Sequence, residues 1–294
     1  MKTIQKSAIA LAASGLFATA AFAQSAPAAA PEAPEASPIA ANVTVVNDYR
    51  YRGISQSNFK PAIQGGFDYA HESGFYIGNW NSSISWIGDQ YPVGSGSPAT
   101  TAAPSASVEM DFYAGYKKEL IGEGFVSDIG LLQYFYPSTG IPSTSVMNGN
   151  KNTWRQQSGT SPNTTEAYIA QNFTFGPVTG FAKFSYSLSD TFGFYNSKGS
   201  YYPDLTVNYD TGVWGIALNA HVGYQYISNN KPGYDFSYTD WKFGVTKDFG
   251  GGLSGAVAYV GTNAGKNGSS YLYATPQLKN QGQGGGLVSL TKTF

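Results

Sequence analysis

The feature that most constrains this chain is an alternation of apolar and polar residues that runs through most of its length. In Val213–Tyr226 the even positions are apolar or aromatic, and most odd positions are small or polar. A period of two is typical of a β-strand with one apolar and one wet face. The pattern recurs in Val108–Tyr116, Val178–Ser189 and Tyr238–Phe249. The chain is therefore predicted to be all-β.

The connections between the strands distinguish a closed barrel from a soluble sandwich. Twelve strands are predicted, over 42–52, 61–71, 75–86, 107–117, 125–136, 164–175, 178–189, 201–210, 213–226, 238–249, 253–262 and 285–294. Short turns alternate with six long loops, at 53–60, 87–106, 137–163, 190–200, 227–237 and 263–284. This alternation places all long loops on one side, as in bacterial outer-membrane barrels. The expected fold is a transmembrane antiparallel up-and-down β-barrel of about twelve strands.

Aromatic residues and the low charge content support a barrel that lies in a membrane. Only 12 % of the residues are charged, about half the share usual in a soluble domain. Ten tilted strand residues span roughly 25 Å, the height of the apolar band between two aromatic girdles. The aromatic residues expected at the lipid interface are Trp214, Tyr224, Tyr226 and Trp241. The last strand ends on Phe294, which is predicted to be part of an assembly signal.

The first 41 residues predict export rather than folding. Met1–Ala23 has a basic start, a short apolar stretch and an Ala-Phe-Ala site, which indicate a signal peptide cleaved after Ala23. Residues 24–41 form an Ala/Pro-rich tract that is predicted to be a flexible periplasmic linker. Residues 42–294 then make one domain, a barrel in the bacterial outer membrane.

The sequence contains no motif for catalysis or for a metal. The chain has no cysteine, which excludes a thiol nucleophile and a zinc–thiolate site. A hydrolase with His221 as its base would need a serine and an orienting partner, and no local spacing supplies them. We expect no enzyme activity, no catalytic residue, no metal and no cofactor. The formal charge of −1 gives no reason to expect nucleic acid as a partner.

The alternation assigns a set of charged residues to the inner wall. Eight acids and four bases are expected to face the lumen: Asp48, Asp68, Glu109, Asp111, Asp128, Glu166, Asp204 and Asp240, with Arg50, Arg52, Lys183 and Lys242. One interpretation is a water-filled passage with a mild preference for cations. The other is a network of paired charges that closes a narrow interior, since about eight strands give a filled barrel and about sixteen an open channel.

Several blocks of the sequence resemble a known family. They are Asp48–Gln56, which is the most specific, Pro61–Tyr69, Gly74–Gly78, Gln133–Pro137, Tyr186–Asp190, His221–Tyr224 and Leu290–Phe294. In these blocks the chain is similar to the TorF-family porins, also known as Gcw_chp outer-membrane proteins, and the resemblance spans residues 42–294. It implies an outer-membrane barrel with a pore role, and it implies no particular substrate.

These observations predict an outer-membrane porin that lets small hydrophilic solutes or ions diffuse passively through a polar lumen. The alternative is a structural or adhesion barrel with a closed lumen, which displays the loops 87–106 and 137–163. The expected partners are outer-membrane lipid, the barrel-assembly machinery and the solutes themselves. The oligomeric state is left open.

Overall fold

The computed structural model describes residues 37–90, 106–137, 161–230 and 234–294. The predicted signal peptide and the linker up to residue 36 lie outside these residues. So do large parts of the predicted loops 87–106 and 137–163.

Twelve long strands form a closed antiparallel barrel, as predicted. In chain order the elements are β1 (Ile39–Val46), β2 (Arg50–Tyr51), β3 (Ile54–Ser55), β4 (Ala62–Ala70), β5 (Phe75–Ser83), α1 (Trp86–Gln90), β6 (Val108–Gly122), β7 (Phe125–Phe135), β8 (Thr164–Phe175), β9 (Val178–Ser187), β10 (Tyr201–Asp210), β11 (Ile216–Gln225), β12 (Tyr238–Gly250), β13 (Leu253–Thr262), β14 (Lys266–Asn267), β15 (Ser270–Tyr271) and β16 (Gly285–Thr293). Each long strand pairs with the next long strand, and β16 closes the barrel against β1, with Asn42 opposite Thr293. The short strands form two separate hairpins, β2 with β3 and β14 with β15.

The two ends of the barrel differ in the length of their connections. The turns 71–74, 123–124, 176–177, 211–215 and 251–252 lie at one end, which we call the turn end. The strand ends that the six long connections join lie at the other end, which we call the loop end. The predicted sorting of turns and loops is confirmed by this topology.

The outer surface of the barrel is apolar. Ile63, Ile129, Phe243 and Val257 come from four strands, and each side chain is at least 60 % exposed. The residue that follows Ile63 is Gln64, which is only 2 % exposed. Polar side chains inside and apolar side chains outside are the arrangement of a barrel surrounded by lipid. Within the described ranges, no helix has the length and apolarity that crossing a membrane requires.

The first predicted strand, 42–52, was wrong at both ends. β1 begins at Ile39, so residues 39–41, which were predicted to be linker, pair with β4. β1 ends at Val46, and the chain then folds into the lumen instead of continuing the wall. Arg52 and Gly53 have φ angles of 45° and 77°, which a continuous strand cannot accommodate. Asp48, Arg50 and Arg52 therefore lie outside the barrel strands, whereas the alternation predicts them within the first strand.

Three other strand boundaries differ from the prediction by three residues or more. β5 ends at Ser83 rather than at residue 86, and Trp86 begins the helix α1. β11 begins at Ile216 rather than at residue 213, because Trp214 and Gly215 have φ angles of 54° and 64° and belong to the preceding turn. β6 continues to Gly122, five residues beyond the predicted end at 117, with an irregular register after Glu119. Alternation does not detect such changes, since a turn or bulge depends on local φ angles.

Candidate functional site: the lumen

A short segment between β1 and β4 crosses the lumen close to the loop end. We call residues 48–53 the plug segment. Each of its first five residues is at most 8 % exposed, and they are Asp48, Tyr49, Arg50, Tyr51 and Arg52. A six-residue segment is buried to this extent only if the surrounding wall contacts it on most sides.

Arg52 joins the plug segment to three strands of the wall. Its Nη1 and Nη2 donate to the two carboxylate oxygens of Glu166 on β8, at 3.0 and 2.8 Å. Nη1 also donates to Gln225 Oε1 on β11, at 2.6 Å. The guanidinium lies 4.1 Å from the ring centroid of Tyr202 on β10. A planar fork on a carboxylate, with an aromatic face beside it, is the geometry that suits arginine better than lysine.

The two tyrosines of the plug segment contact the opposite side of the wall. Tyr49 donates its hydroxyl to Glu109 on β6 at 2.5 Å, and its ring packs edge-on against Trp80 on β5. Tyr51 donates to the hydroxyl of Tyr134 on β7 at 2.7 Å. These contacts fix the plug segment between β5 and β7 while Arg52 fixes it to β8, β10 and β11.

Gly53 completes the crossing on the remaining side. A Cβ at this position would lie 2.8 Å from Asp240 Cβ on β12 and would overlap Thr262 on β13. The positive φ angle and this close approach both require glycine. The plug segment thus contacts eight of the twelve barrel strands, namely β5, β6, β7, β8, β10, β11, β12 and β13.

Arg50 ties the plug segment to itself and to the long connection before β16. Its Nε donates to Asp48 at 2.5 Å, and its Nη1 lies within 3.0 Å of the carbonyl oxygens of Gly53, Gln281 and Gln283. The segment is therefore held by polar contacts at both of its ends.

The other predicted lumen charges lie on the barrel strands. His221 bridges Asp204 and Asp240, at 3.0 and 2.8 Å. Lys183 lies opposite Asp204 in the register of β9 and β10. Of the twelve predicted residues, ten are buried, and the two lysines are partly exposed. Asp111 is 4 % exposed, and its Oδ1 has no hydrogen-bond partner among the described residues.

One side of the wall, from β4 to β8, is filled by tyrosines that lie over glycines. The ring of Tyr76 occupies the space that a Cβ on Gly115 would need, and the ring of Tyr113 does the same at Gly78. The hydroxyl of Tyr76 donates to Asp128 at 2.6 Å and is also hydrogen-bonded to the hydroxyl of Tyr168. This side of the lumen is therefore occupied by ordered rings.

The opposite side of the wall, from β10 to β13 and β16, is lined by small residues and leaves a cavity. The space in this cavity is about 600 Å³, which includes space that is open to solvent. Its lining includes Thr206, Asn208, Asn219, Gly244, Thr246 and Ser289. We call it the turn-end cavity, because these residues lie between the plug segment and the turn end.

A second cavity lies on the other side of the plug segment. Its space is about 480 Å³, which includes space that is open to solvent. It is lined largely by residues of the long connections, among them Trp86, Phe194 and Tyr273. Tyr51 and Gln225 form part of its lining, and both contact Arg52. We call it the loop-end cavity. The plug segment therefore borders the loop-end cavity through Tyr51, and the turn-end cavity lies further along the lumen, with a lining that contains no plug residue.

The predicted interface aromatics occupy different positions. Tyr224 and Trp241 are on the outer face near the loop end, and Trp214 is 80 % exposed in a turn at the opposite end. Tyr226 stacks on Tyr201, with 4.7 Å between ring centroids. Phe294 donates its backbone N–H to Ala41, which continues the pairing of β16 with β1, and its role in assembly stays a prediction.

Sequence reasoning did not identify the neutral partners of the plug segment. Tyr202, Gln225 and Tyr134 are as close to it as the charged residues are. The sequence feature that could have indicated an inward fold here is Gly53, which interrupts the alternation of the block Asp48–Gln56. Among the described residues, no group of three or more His, Asp or Glu is placed to hold a metal ion.

Solved structures of porins are similar to this barrel. The NanC porin aligns with a TM-score of 0.51 at 8 % identity, over 86 % of this chain and 98 % of that one. The KdgM porin in complex with disordered oligogalacturonate gives 0.48 at 8 % identity, over 87 % and 98 %. Pseudomonas aeruginosa OccD3 (OpdP) gives 0.40 at 10 % identity, over 86 % and 60 %. The similarity to NanC shows a shared porin-like fold.

The sequence comparisons define the family. A comparison with curated proteins found no match. The family model described as "Bacterial protein of unknown function (Gcw_chp)" matches residues 28–294. The chain therefore belongs to the Gcw_chp family of bacterial proteins.

Proposed function

We propose that this protein is an outer-membrane porin through which small hydrophilic solutes or ions diffuse passively when the plug segment leaves its place. The observation that carries the proposal is that the plug segment lies across a polar lumen that has a cavity towards each end. If residues 48–53 move aside, the two cavities join into one passage.

The apolar outer face supports a location in the outer membrane. The loop end would then face outwards and the turn end the periplasm, which is the usual orientation of bacterial barrels. The loop-end cavity would receive solutes from outside, and the turn-end cavity would release them.

The barrel does not need the plug segment for its own closure. The hydrogen-bonded ladder runs through the twelve long strands, and neither β2 nor β3 belongs to it. Charged groups that lose the plug segment would be exposed to water in the opened lumen, where an ion pair contributes little. Withdrawal of the segment is thus compatible with an intact barrel.

The alternative is a barrel with a permanently closed lumen that displays its loops. The observation that favours it is the burial of Glu109 and Glu166, each 1 % exposed, in contact with the plug segment. The two functions differ in whether the segment ever leaves.

Planar-bilayer recording of refolded protein tests the proposal. We would replace Tyr49, Arg50, Tyr51 and Arg52 by Gly or Ser and compare this plug variant with the wild type. The plug variant should conduct steadily, whereas the wild type should conduct rarely. A control with Val213→Gly and Trp214→Ser, at the turn end, should behave as the wild type does.

Refolding is checked by the faster gel mobility of an unheated closed barrel. If the plug variant refolds fully but does not conduct, the porin function is wrong, and the display function takes its place.

A further inference from the structure

The site that holds Arg52 is built by the barrel rather than by the plug segment. Glu166, Tyr202 and Gln225 come from β8, β10 and β11, and the three strands belong to the continuous ladder. Tyr134 on β7 directs its hydroxyl to Glu166 Oε2 at 3.4 Å. If Arg52 withdraws, this arrangement of a carboxylate, an amide oxygen and an aromatic face remains in the wall.

We propose that this site is a receptor for small cations that carry a guanidinium group, and that such a solute releases the plug segment by replacing Arg52. The proposal rests on the porin function proposed above, and it adds the class of solute and the event that opens the lumen.

The burial of Glu166 is the reason that a replacement is needed. Glu166 is 1 % exposed, and both of its oxygens are engaged by Arg52. While the lumen is still closed to water, a carboxylate that loses its cationic partner stays buried and uncompensated, which is strongly destabilising. A solute that supplies the same charge and the same two N–H donors removes this penalty, so Arg52 leaves more easily in its presence.

The geometry selects guanidinium over ammonium. Two donors of Arg52 meet two oxygens of one carboxylate, and its flat face lies over Tyr202. An ammonium group is a compact point charge that cannot form the planar fork. A guanidinium solute would therefore bind more tightly than an ammonium solute of similar size.

The loop-end cavity gives such a solute a route to the site. Gln225 lines this cavity and accepts a hydrogen bond from Arg52, so a solute there reaches the edge of the receptor. The cavity is rich in aromatic residues, including Trp86 and Tyr238, and aromatic faces attract cations.

The experiment measures binding without requiring conduction. Arg52→Ala empties the receptor, and we would titrate the refolded variant in detergent with methylguanidine or methylamine and record the midpoint of thermal unfolding. A ligand that binds only the folded barrel raises this midpoint. Methylguanidine at millimolar concentration should raise it by several degrees, and methylamine should raise it much less.

The matched control is Arg52→Ala combined with Glu166→Gln, which keeps the shape of the site and removes its charge. Methylguanidine should not shift the midpoint of this double variant. If Arg52→Ala does not refold, Arg52→Gln keeps most of the side chain and is titrated in the same way. The receptor proposal would be overturned if the two ligands raised the unfolding midpoint equally. It would also be overturned if methylguanidine raised the midpoint equally with and without Glu166.

The outcomes for pore and receptor are separate. A barrel that binds methylguanidine through Glu166 but never conducts retains the receptor and loses the porin function. If the plug variant conducts but the Arg52→Ala barrel does not bind methylguanidine, the porin function is retained and the receptor is wrong.

Discussion

The two halves of the lumen differ in what fills them, although the same strands line both. Towards the loop end, Arg52, Tyr49 and Tyr51 fill the space between Glu109 and Glu166. Towards the turn end, small side chains leave a cavity on one side. The comparison teaches that the strands determine the wall, and that a connection between two strands determines whether the lumen is closed.

The largest difference between the two halves should follow from replacing two acids on one strand of the loop-end half. Replacing Glu109 and Asp111 together by Lys places two cations where Glu109 now accepts from Tyr49 and where both side chains are buried. Uncompensated buried charges are strongly destabilising, so we expect a loss of about 3–5 kcal/mol in the free energy of unfolding. Urea unfolding of the refolded barrel measures this loss.

The matched control lies in the other half. Ser254 and Ala256 are also two residues apart on one strand and line the turn-end cavity. Two lysines there can extend towards the turn end, so the expected loss is about 1 kcal/mol or less. Equal losses in the two halves would mean that the loop-end half is as open to water as the turn-end half.

A single methyl group should produce a smaller difference. Gly53→Ala places a Cβ against Asp240 and Thr262 at a φ angle of 77°. Gly251→Ala, at a φ angle of 60°, meets nothing within 4 Å among the described residues. Both substitutions strain the backbone. Gly53→Ala also overpacks the plug segment, so it should lower the free energy of unfolding by about 1–3 kcal/mol more than Gly251→Ala does.

The same pair of variants should differ in conductance. Gly53→Ala should open the lumen more often than the wild type, whereas Gly251→Ala should not. The account of a tightly seated plug segment is contradicted if the two alanines have the same effect on unfolding and on conductance.

The smallest expected effect concerns ion selectivity. In the plug variant, the pair Ser254→Lys and Ala256→Lys should shift the reversal potential towards anions, because positive charges on the wall raise the local concentration of anions. The shift should shrink as salt increases, since the screening length falls from about 10 Å at 0.1 M to about 3 Å at 1 M. A shift that does not depend on salt would require another origin.

The wall of the barrel could be predicted from the sequence, and the plug segment could not. Alternation assigns one face to each residue, and it placed Asp68, Asp128 and Asp240 on strands whose neighbouring residues face outwards. Asp48, Arg50 and Arg52 follow the same alternation, so the predicted first strand, 42–52, included them.

The reason for this error is physical. Whether residues 48–53 pair with a neighbouring strand or fold inwards depends on contacts with Glu166, Tyr202 and Thr262, which are far away in sequence. A pattern of nearest neighbours along the chain contains no information about such contacts. The sequence also allowed a second interpretation, a network of paired charges that closes a narrow interior. The loop-end half has this arrangement.

One-sided labelling of a single cysteine tests the central claim, that residues 48–53 are the barrier between two cavities. The chain has no cysteine, so Ser254→Cys gives one thiol in the turn-end cavity without background. A small, charged thiol reagent is added to oriented proteoliposomes from one side or the other. In the otherwise wild-type barrel the thiol should react from the turn end and not from the loop end, and in the plug variant it should react from both. Equal reaction from both ends before the segment is altered, or continued protection from the loop end after it is altered, would contradict the account.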